Sequence, residues 1–278
     1  MPATDPFDIR AVEQTIANTE FAGHLTHLAS VTSTNDLALD ATKSGARRGV
    51  WIADEQTAGR GRGSHIWHSP EGDGLYMTAL VAPSVPMQRA LGLSFTTAIA
   101  AQSAIASVAG FRVRDQIDIR WPNDLLLNGK KCGGILIDTA SNPATPTQPA
   151  MLRYAVLGIG INVNHRIFPP ELDAIATSLR RELSNPSQPL RREPLAAAIL
   201  LALDAELRRL TSHLAPRTSD PTQFSSWISG KRVRVETRDN HPGGYTGITA
   251  GLNPSGFLLV HGDDGQLHTV LSGGLREP

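Results

Sequence analysis

The sequence predicts an α/β (α+β) core with a small all-β module appended, and three observations carry that reading. Helical and extended patterns alternate from residue 8 to about residue 213. Asn128-Gly129 stands between two apolar runs in "LLLNGKKCGGILID" (125–138), the strongest short hairpin signal. Beyond Lys231, short strands recur between turns, as in a small barrel or sandwich. The expected domains are residues 1–229 and 230–278.

Residues 8–18 read as a short helix, and "HLTHLASV" (24–31) alternates like a strand. Ser33, Thr34 and Asn35 are each good N-caps for a helix reaching Lys43 and stopped by Gly45. "VWIAD" (50–54) reads as a buried strand, "GLYMTALVA" (74–82) as another, and 87–109 as a long Ala-rich helix. "IDIRW" (117–121) is a strand ended by Pro122. After the hairpin, 139–150 reads as a Pro/Ser/Thr-rich loop and 152–164 as a strand with a glycine-rich exit. Helices are expected over 170–183 and 193–213, a change of character over 214–230, and then "RVRVETRD", "GYTGITAGLN", "GFLLVHGDDG" and "LHTVLSGG" as strands.

Composition narrows the function. Of 278 residues 40% are apolar, enough for a proper core, and Lys+Arg and Asp+Glu both number 26. Zero net charge argues against general attraction to DNA or membranes, so any anion site must be local. Cys132 alone cannot form an intrachain disulfide, which favours a reducing compartment. The N-terminus carries acidic residues where a secretory signal would be basic, and "LAAAILLAL" (195–203) is too short to span a bilayer. A cytoplasmic protein is expected.

Three clusters carry chemistry. In "GRGRGSHIW" (59–67), Gly59, Gly61 and Gly63 let backbone amides approach a ligand, and Arg60 and Arg62 offer forks that match phosphate or carboxylate. The segment from Gln56 to Pro70 contains no acidic residue, so the arginines lack a local partner and the loop is expected to order around an incoming anion. Trp67 is placed to cover a ring. Neither a Walker loop nor a G-x-G-x-x-G fingerprint fits here, and "GIGINVN" (158–164) fails the latter too. The second cluster, "RWPNDLLLNGKKCGGILID" (120–138), sets Asn123 and Asp124 at a strand junction and Lys130 and Lys131 before Gly133 and Gly134. Turn chemistry and a solvated face explain some of these, Lys130 above all. The third is Ser33-Thr34-Asn35, where helix capping and ligand binding are compatible. His65 and His68 lack a third ligand nearby, so no metal site is expected. Cys132 reads as a packed residue.

Together and in order, "STND", "EQTAGRGRGSHIW", "RWPNDLLLNGKKCGGIL" and "GIGINVN" resemble the biotin protein ligase family, of the short form without an N-terminal DNA-binding domain. The resemblance implies a mixed-sheet catalytic core similar to class II synthetase-like biotin ligases, with an SH3-like C-terminal barrel. It implies an ATP-dependent, AMP-forming enzyme that uses biotin, ATP and Mg2+ to make biotinyl-5′-adenylate, then biotinylates a lysine of a biotin carboxyl carrier protein domain. The alternative is a lipoate or octanoate protein ligase or transferase of the same superfamily. By this resemblance Lys131, Asp124 and Arg62 are the catalytic residues. Arg60 and Arg62 hold the carboxylate and the adenylate phosphate, and Ser33, Thr34 and Gln56 bond the ureido ring. Asn35, Gly59, Gly61, Trp67, Asn123 and Gly134 complete the binding set, with Trp67 against the adenylate. Lys131 stabilises charge at the α-phosphate, and Asp124 orients the acceptor lysine or binds metal. The family's G-R-G-R-R-G-R-x-W is altered over Gly63–Ile66, and Arg120 replaces a common lysine. Few residues precede "STND" and none forms a basic recognition helix, so DNA binding is not expected; a homodimer is left open.

Overall fold

The computed structural model describes residues 6–278 apart from 64, 91, 186, 213–219, 237–243, 254–255 and 272. The expected end of the second long helix at His213, the linker 214–219 and the strand tail 237–239 therefore lie outside the described residues.

Seven strands form one mixed sheet: β1 (Leu25–Val31), β2 (Gly49–Gln56), β3 (Gly74–Val81), β4 (Ile117–Arg120), β5 (Asp124–Leu127), β6 (Lys130–Asn142) and β7 (Met151–Asn162), ordered β1-β2-β3-β7-β6-β5-β4. Only β1 and β2 pair in parallel, because helix α2 (Thr34–Lys43) carries the chain across between them. Every other neighbour is antiparallel. Asn128 and Gly129 both take positive φ, as a tight two-residue hairpin turn requires, and deliver Lys130 and Lys131 at the start of β6.

Strand alternation gives the sheet two different faces. Met77, Ala79, Leu157, Ile159 and Ile161 join the main core with helices α1 (Ile9–Thr15), α4 (Leu93–Ala109) and α7 (Arg192–Thr211). On the other face Leu80 and Val156 pack under Ala38 of α2. The neighbouring positions Gly158 and Gly160 carry no side chain to cover, so that face stays open beside α2. Its register sets Thr78 opposite Gly158, and Gly134 opposite Gly160.

Three expected elements differ. The helix over 87–109 is two pieces, α3 (Met87–Ala90) and α4, with Gly92 at the N-terminus of the second. The span 87–109 is long and apolar enough to cross a membrane by length and composition, yet α4 packs against α7 and the sheet in the main core. The loop 139–150 shortens, because Thr139–Asn142 continue β6 alongside β7. The helix over 170–183 splits into α5 (Pro170–Asp173) and α6 (Leu179–Glu182). Between them the backbone turns aside to bond β6: Lys131 N–H donates to Ile175 O at 2.9 Å, and Thr177 N–H donates to Lys131 O at 2.9 Å.

At the C-terminus β8 (Ser229–Glu236), β9 (Tyr245–Leu252), β10 (Leu258–Gly262), β11 (Leu267–Val270) and β12 (Gly274–Arg276) form an antiparallel sheet ordered β11-β10-β9-β8-β12, as a small SH3-like barrel requires. Its buried Val233, Val235, Leu258, Val260, Val270 and Leu275 are continuous with the main core through Trp227 and Ile228.

Candidate active site

The open face of the sheet forms the floor of a cleft of about 1480 Å3, walled by α2, the 59–67 loop, the β4–β6 corner and the C-terminal sheet. The floor is made of glycine for a measurable reason. A Cβ on Gly158 would lie 2.2 Å from Asn35 Oδ1, and one on Gly160 would lie 2.6 Å from Trp67 Nε1. Gly134 is a little roomier, at 3.4 Å from both Lys131 Cε and the Trp67 ring. Asn35 and Trp67 thus lie directly on the backbone of β7.

One end of the cleft is uncharged. Ser33 is the N-cap of α2, but its side chain makes no capping bond. The orphan helix amide is taken instead by Gln56 from β2, whose Oε1 accepts from Thr34 N–H at 2.9 Å and Thr34 Oγ1 at 3.1 Å. Gln56 Nε2 donates to Ser69 Oγ at 3.0 Å. Thr78 Oγ1 stands 2.7 Å from Asn35 Oδ1 and 2.8 Å from Thr34 Oγ1. Asn35 Oδ1 can only accept, so the Thr78 proton goes there. Asn35 Nδ2 is then left buried with no partner beside the floor, a group that a ligand oxygen would satisfy.

The glycine-arginine loop is a hydrogen-bonded hairpin rather than a strand of isolated charges. Gly61 N–H donates to His65 O and Trp67 N–H to Gly59 O, each at 2.8 Å. Within 56–70 the arginines have no acidic partner, as expected, and they find their partners far away in sequence. Arg60 Nη1 reaches Asp36 Oδ1 at 3.1 Å and Asp138 Oδ2 at 3.2 Å. Arg62 donates to Asn123 Oδ1 at 3.5 Å and to the carbonyl of Gly273, the residue that leads into β12. Gly59 does not face the cleft; a Cβ there would strike Trp67 O at 2.6 Å and Ser69 Oγ at 2.7 Å, so it closes the hairpin base. Ser64 lies outside the described residues.

The charged end is centred on Asp124, the first residue of β5. Lys131 Nζ is 2.6 Å from its Oδ1, and Arg120 bonds its Oδ2 through Nη2 at 2.6 Å and Nε at 3.3 Å. Burial pushes the Asp124 carboxyl up, but the Lys131 and Arg120 charges outweigh it and hold it below the usual carboxylate range. The same ammonium lies 5.5 Å from the centre of the Trp67 ring, and its backbone is clamped by Ile175 and Thr177. Asn123 supports the corner: its Nδ2 donates to Ile135 O at 2.8 Å. Lys130 is exposed at the turn. Burial pushes the Cys132 thiol up, away from a reactive thiolate.

Ser33, Thr34, Asn35, Gln56, Arg60, Gly61, Arg62, Trp67, Asn123, Asp124, Lys131 and Gly134 therefore line one cleft, and Gly59 supports it. Sequence reasoning missed Thr78, the floor role of Gly158 and Gly160, and the 175–177 clamp. The repeated glycines of "GIGINVN" were the available signal for the floor; a lone strand threonine gave none. His68 faces His165, with ring centres 5.8 Å apart. Among the described residues no three His, Cys, Asp or Glu side chains are grouped to hold a metal.

Known proteins match this arrangement. The model of the Biotin/lipoate A/B protein ligase family matches residues 27–162, and that of the Biotin protein ligase C terminal domain matches 228–273. The chain is 34% identical over 251 residues to the Bifunctional ligase/repressor BirA of Bacillus spizizenii, covering 89% of this chain and 72% of that one. It is 31% identical over 253 residues to the biotin–(acetyl-CoA-carboxylase) ligase of Mycobacterium tuberculosis, covering 89% and 86%. The fold is that of the Aquifex aeolicus biotin protein ligase solved with biotin and ATP, at a TM-score of 0.72 and 24% identity over 92% of this chain and 100% of that one.

Proposed function

This chain belongs to the biotin/lipoate A/B protein ligase family, and from that premise we propose how its cleft divides the work of the reaction it performs. That reaction is ATP-dependent attachment of biotin to a lysine of a biotin-dependent carboxylase carrier domain, through biotinyl-5′-adenylate. The observation that carries the division is the polarity of the cleft: an uncharged hydrogen-bonding end under α2 and a charged end at Asp124 and Lys131, joined by a glycine floor.

The ureido ring of biotin sits at the uncharged end. Ser33 and Thr34 offer hydroxyls there, Gln56 holds Thr34 in place, and the unpartnered Asn35 Nδ2 supplies a donor. The apolar chain of biotin runs over the floor and brings its carboxylate toward the loop arginines and Lys131. The carboxylate oxygen attacks the α-phosphorus of ATP, pyrophosphate leaves, and the Lys131 ammonium offsets the charge gathering on the phosphate oxygens. Arg60 and Arg62 retain the adenylate, with Trp67 beside it. Once Lys131 turns to the phosphate, Asp124 Oδ1 is released to hold the acceptor lysine. The lysine, as the neutral amine, attacks the acyl carbon, the bond from that carbon to the phosphate oxygen breaks, and AMP leaves while the nitrogen gives up a proton to solvent to form the amide.

Mg2+ enters with the triphosphate in this reading. Both oxygens of Asp124 already face cations, so the ion would be held by substrate phosphates and water rather than by this carboxylate, and would supply charge neutralisation at the phosphates. The buried single cysteine fits a reducing, cytoplasmic setting.

The test offers the protein a biotin carrier and a lipoyl carrier side by side, each with its acid and ATP. Label is expected on the biotin carrier alone, together with biotin-dependent pyrophosphate exchange. Transfer to the lipoyl carrier, or exchange indifferent to biotin, would overturn the reading.

A further inference from the structure

The Asp124 carboxylate divides its oxygens between two cations, yet only Lys131 has a part in the reaction so far. Arg120, the last residue of β4, takes Oδ2 with two nitrogens, at 2.6 Å and 3.3 Å, directly across the β4–β5 ladder from Asp124. The side chains of Arg120 and Asp124 are each only 17% exposed. Water therefore screens this pair less than a surface ion pair. The guanidinium is itself held: it lies 5.7 Å from the centre of the Trp227 ring, which Lys231 Nζ approaches at 4.8 Å, and Lys231 is paired with Glu277 at 2.8 Å. Trp227 is buried where the main core continues into the C-terminal sheet.

We propose that Arg120 is a positioning residue for adenylate formation: its two-nitrogen grip on Oδ2 fixes the plane of the Asp124 carboxylate, so that Oδ1 presents the Lys131 ammonium to the reacting phosphate and can let it go. The proposal rests on the roles given above to Lys131 and Asp124. Without Arg120 the buried carboxylate keeps one cation, and Lys131 is drawn toward both oxygens and away from the phosphate. A lysine at position 120 supplies the charge without the planar fork, so it restores charge balance but not orientation. The groups facing Asp124 are Arg120 from β4 and Lys131 from β6; Lys231 and Glu277 stand behind Arg120. Both facing cations favour the ionised carboxylate, so removing one must move the acidic limb of activity to higher pH.

The experiment measures biotin-dependent pyrophosphate exchange across pH for the full chain and for Arg120→Gln and Arg120→Lys, with circular dichroism and thermal melting alongside. In Arg120→Gln, kcat is expected to fall about 10- to 100-fold with the KM for biotin little changed, as for a slightly misplaced reacting group. Its acidic limb should move upward in pH. Arg120→Lys should return the limb to its wild-type position while recovering only part of kcat. Wild-type kcat and limb in a folded Arg120→Gln would overturn the proposal. So would activity losses that merely track melting temperature with the limb unmoved in both variants. If the wild-type chain itself shows no biotin-dependent exchange, the functional reading falls and this proposal with it, an outcome distinct from an unaffected Arg120→Gln.

Discussion

Gly158→Ala adds one carbon to the cleft floor, and its consequence can be worked from the distances. The new Cβ would stand 2.2 Å from Asn35 Oδ1 and 2.8 Å from both Cγ and Nδ2. Flipping the amide cannot help, because each of its atoms is too close; the whole side chain must withdraw from Thr78. Overpacking and the lost Thr78–Asn35 hydrogen bond together cost about 2 to 4 kcal/mol of stability. Withdrawal also removes the Asn35 Nδ2 donor, so biotin should bind about five- to tenfold more weakly, the value of one neutral hydrogen bond. Urea unfolding and calorimetric titration with biotin measure the two effects separately. Asn35→Ala added to Gly158→Ala removes the clash while Thr34 still partners the Thr78 hydroxyl. Stability should then recover to within about 1 kcal/mol, but the affinity should not. A single variant as stable and as tight as wild type, or a double variant that binds normally, would refute the reasoning.

Lys131→Ala should cut biotin-dependent pyrophosphate exchange by about 2.7–4 kcal/mol of transition-state stabilisation, while circular dichroism stays native. The fold survives because the backbone of Lys131, not its side chain, holds Ile175 and Thr177; Lys130→Ala is the near-silent control. His165 is buried against Phe168, Tyr76 and His68, and burial, helped by His68, depresses its pKa from 6.5 to about 4. The unfolded chain therefore binds the extra proton first, so stability is full above about pH 6.5 and drains away down to about pH 4, by roughly 3 kcal/mol in all. His165→Gln should lose that much less between pH 7 and pH 4 in urea melts; equal losses would show the ring to be uncoupled from folding. Arg62→Gly should release biotinyl-adenylate, read as biotin on bystander lysines, and release no greater than wild type would remove Arg62 from the retention of the intermediate.

Residues whose meaning is local were legible in the sequence. Asn128-Gly129 announces a hairpin through its own backbone preference, whereas the bulge at Cys132 that turns Lys131 to the same face as Gly134 appears only in the β5–β6 register. Ser33 and Thr34 announce a helix start. Thr78, by contrast, sits in a wholly buried strand whose pattern says nothing about its neighbours. Its role exists only because β3 and β7 pair with Thr78 opposite Gly158. "GIGINVN" does not fit a G-x-G-x-x-G phosphate loop, and its glycines serve instead as the flat part of a strand on which Asn35 and Trp67 rest. The helix expected over 170–183 breaks because the 175–177 backbone bonds Lys131, a long-range contact that no local propensity encodes.

The loop arginines show how the same limit bears on mechanism. Read along the chain, Arg60 and Arg62 repel each other until an anion separates them. In space, Arg60 is shared between Asp36 of α2 and Asp138 of β6, while Arg62 ties the loop to Asn123 and to Gly273. The Arg60 pairs are substantially exposed, so each contributes only about 0–1 kcal/mol. That strength is enough to set the loop over the cleft and small enough for a carboxylate or phosphate to displace. An incoming anion therefore meets arginines already aimed at the cleft and exchanges weak partners for its own charge, instead of ordering a free loop from nothing. The two hairpin bonds, at about 0.5–1.5 kcal/mol each, offset a part of an ordering cost of about 1–2 kcal/mol per residue, and the ligand supplies the rest. The remaining binding energy from biotin and ATP acts at the charged end, where Lys131 must leave Asp124 for the phosphate.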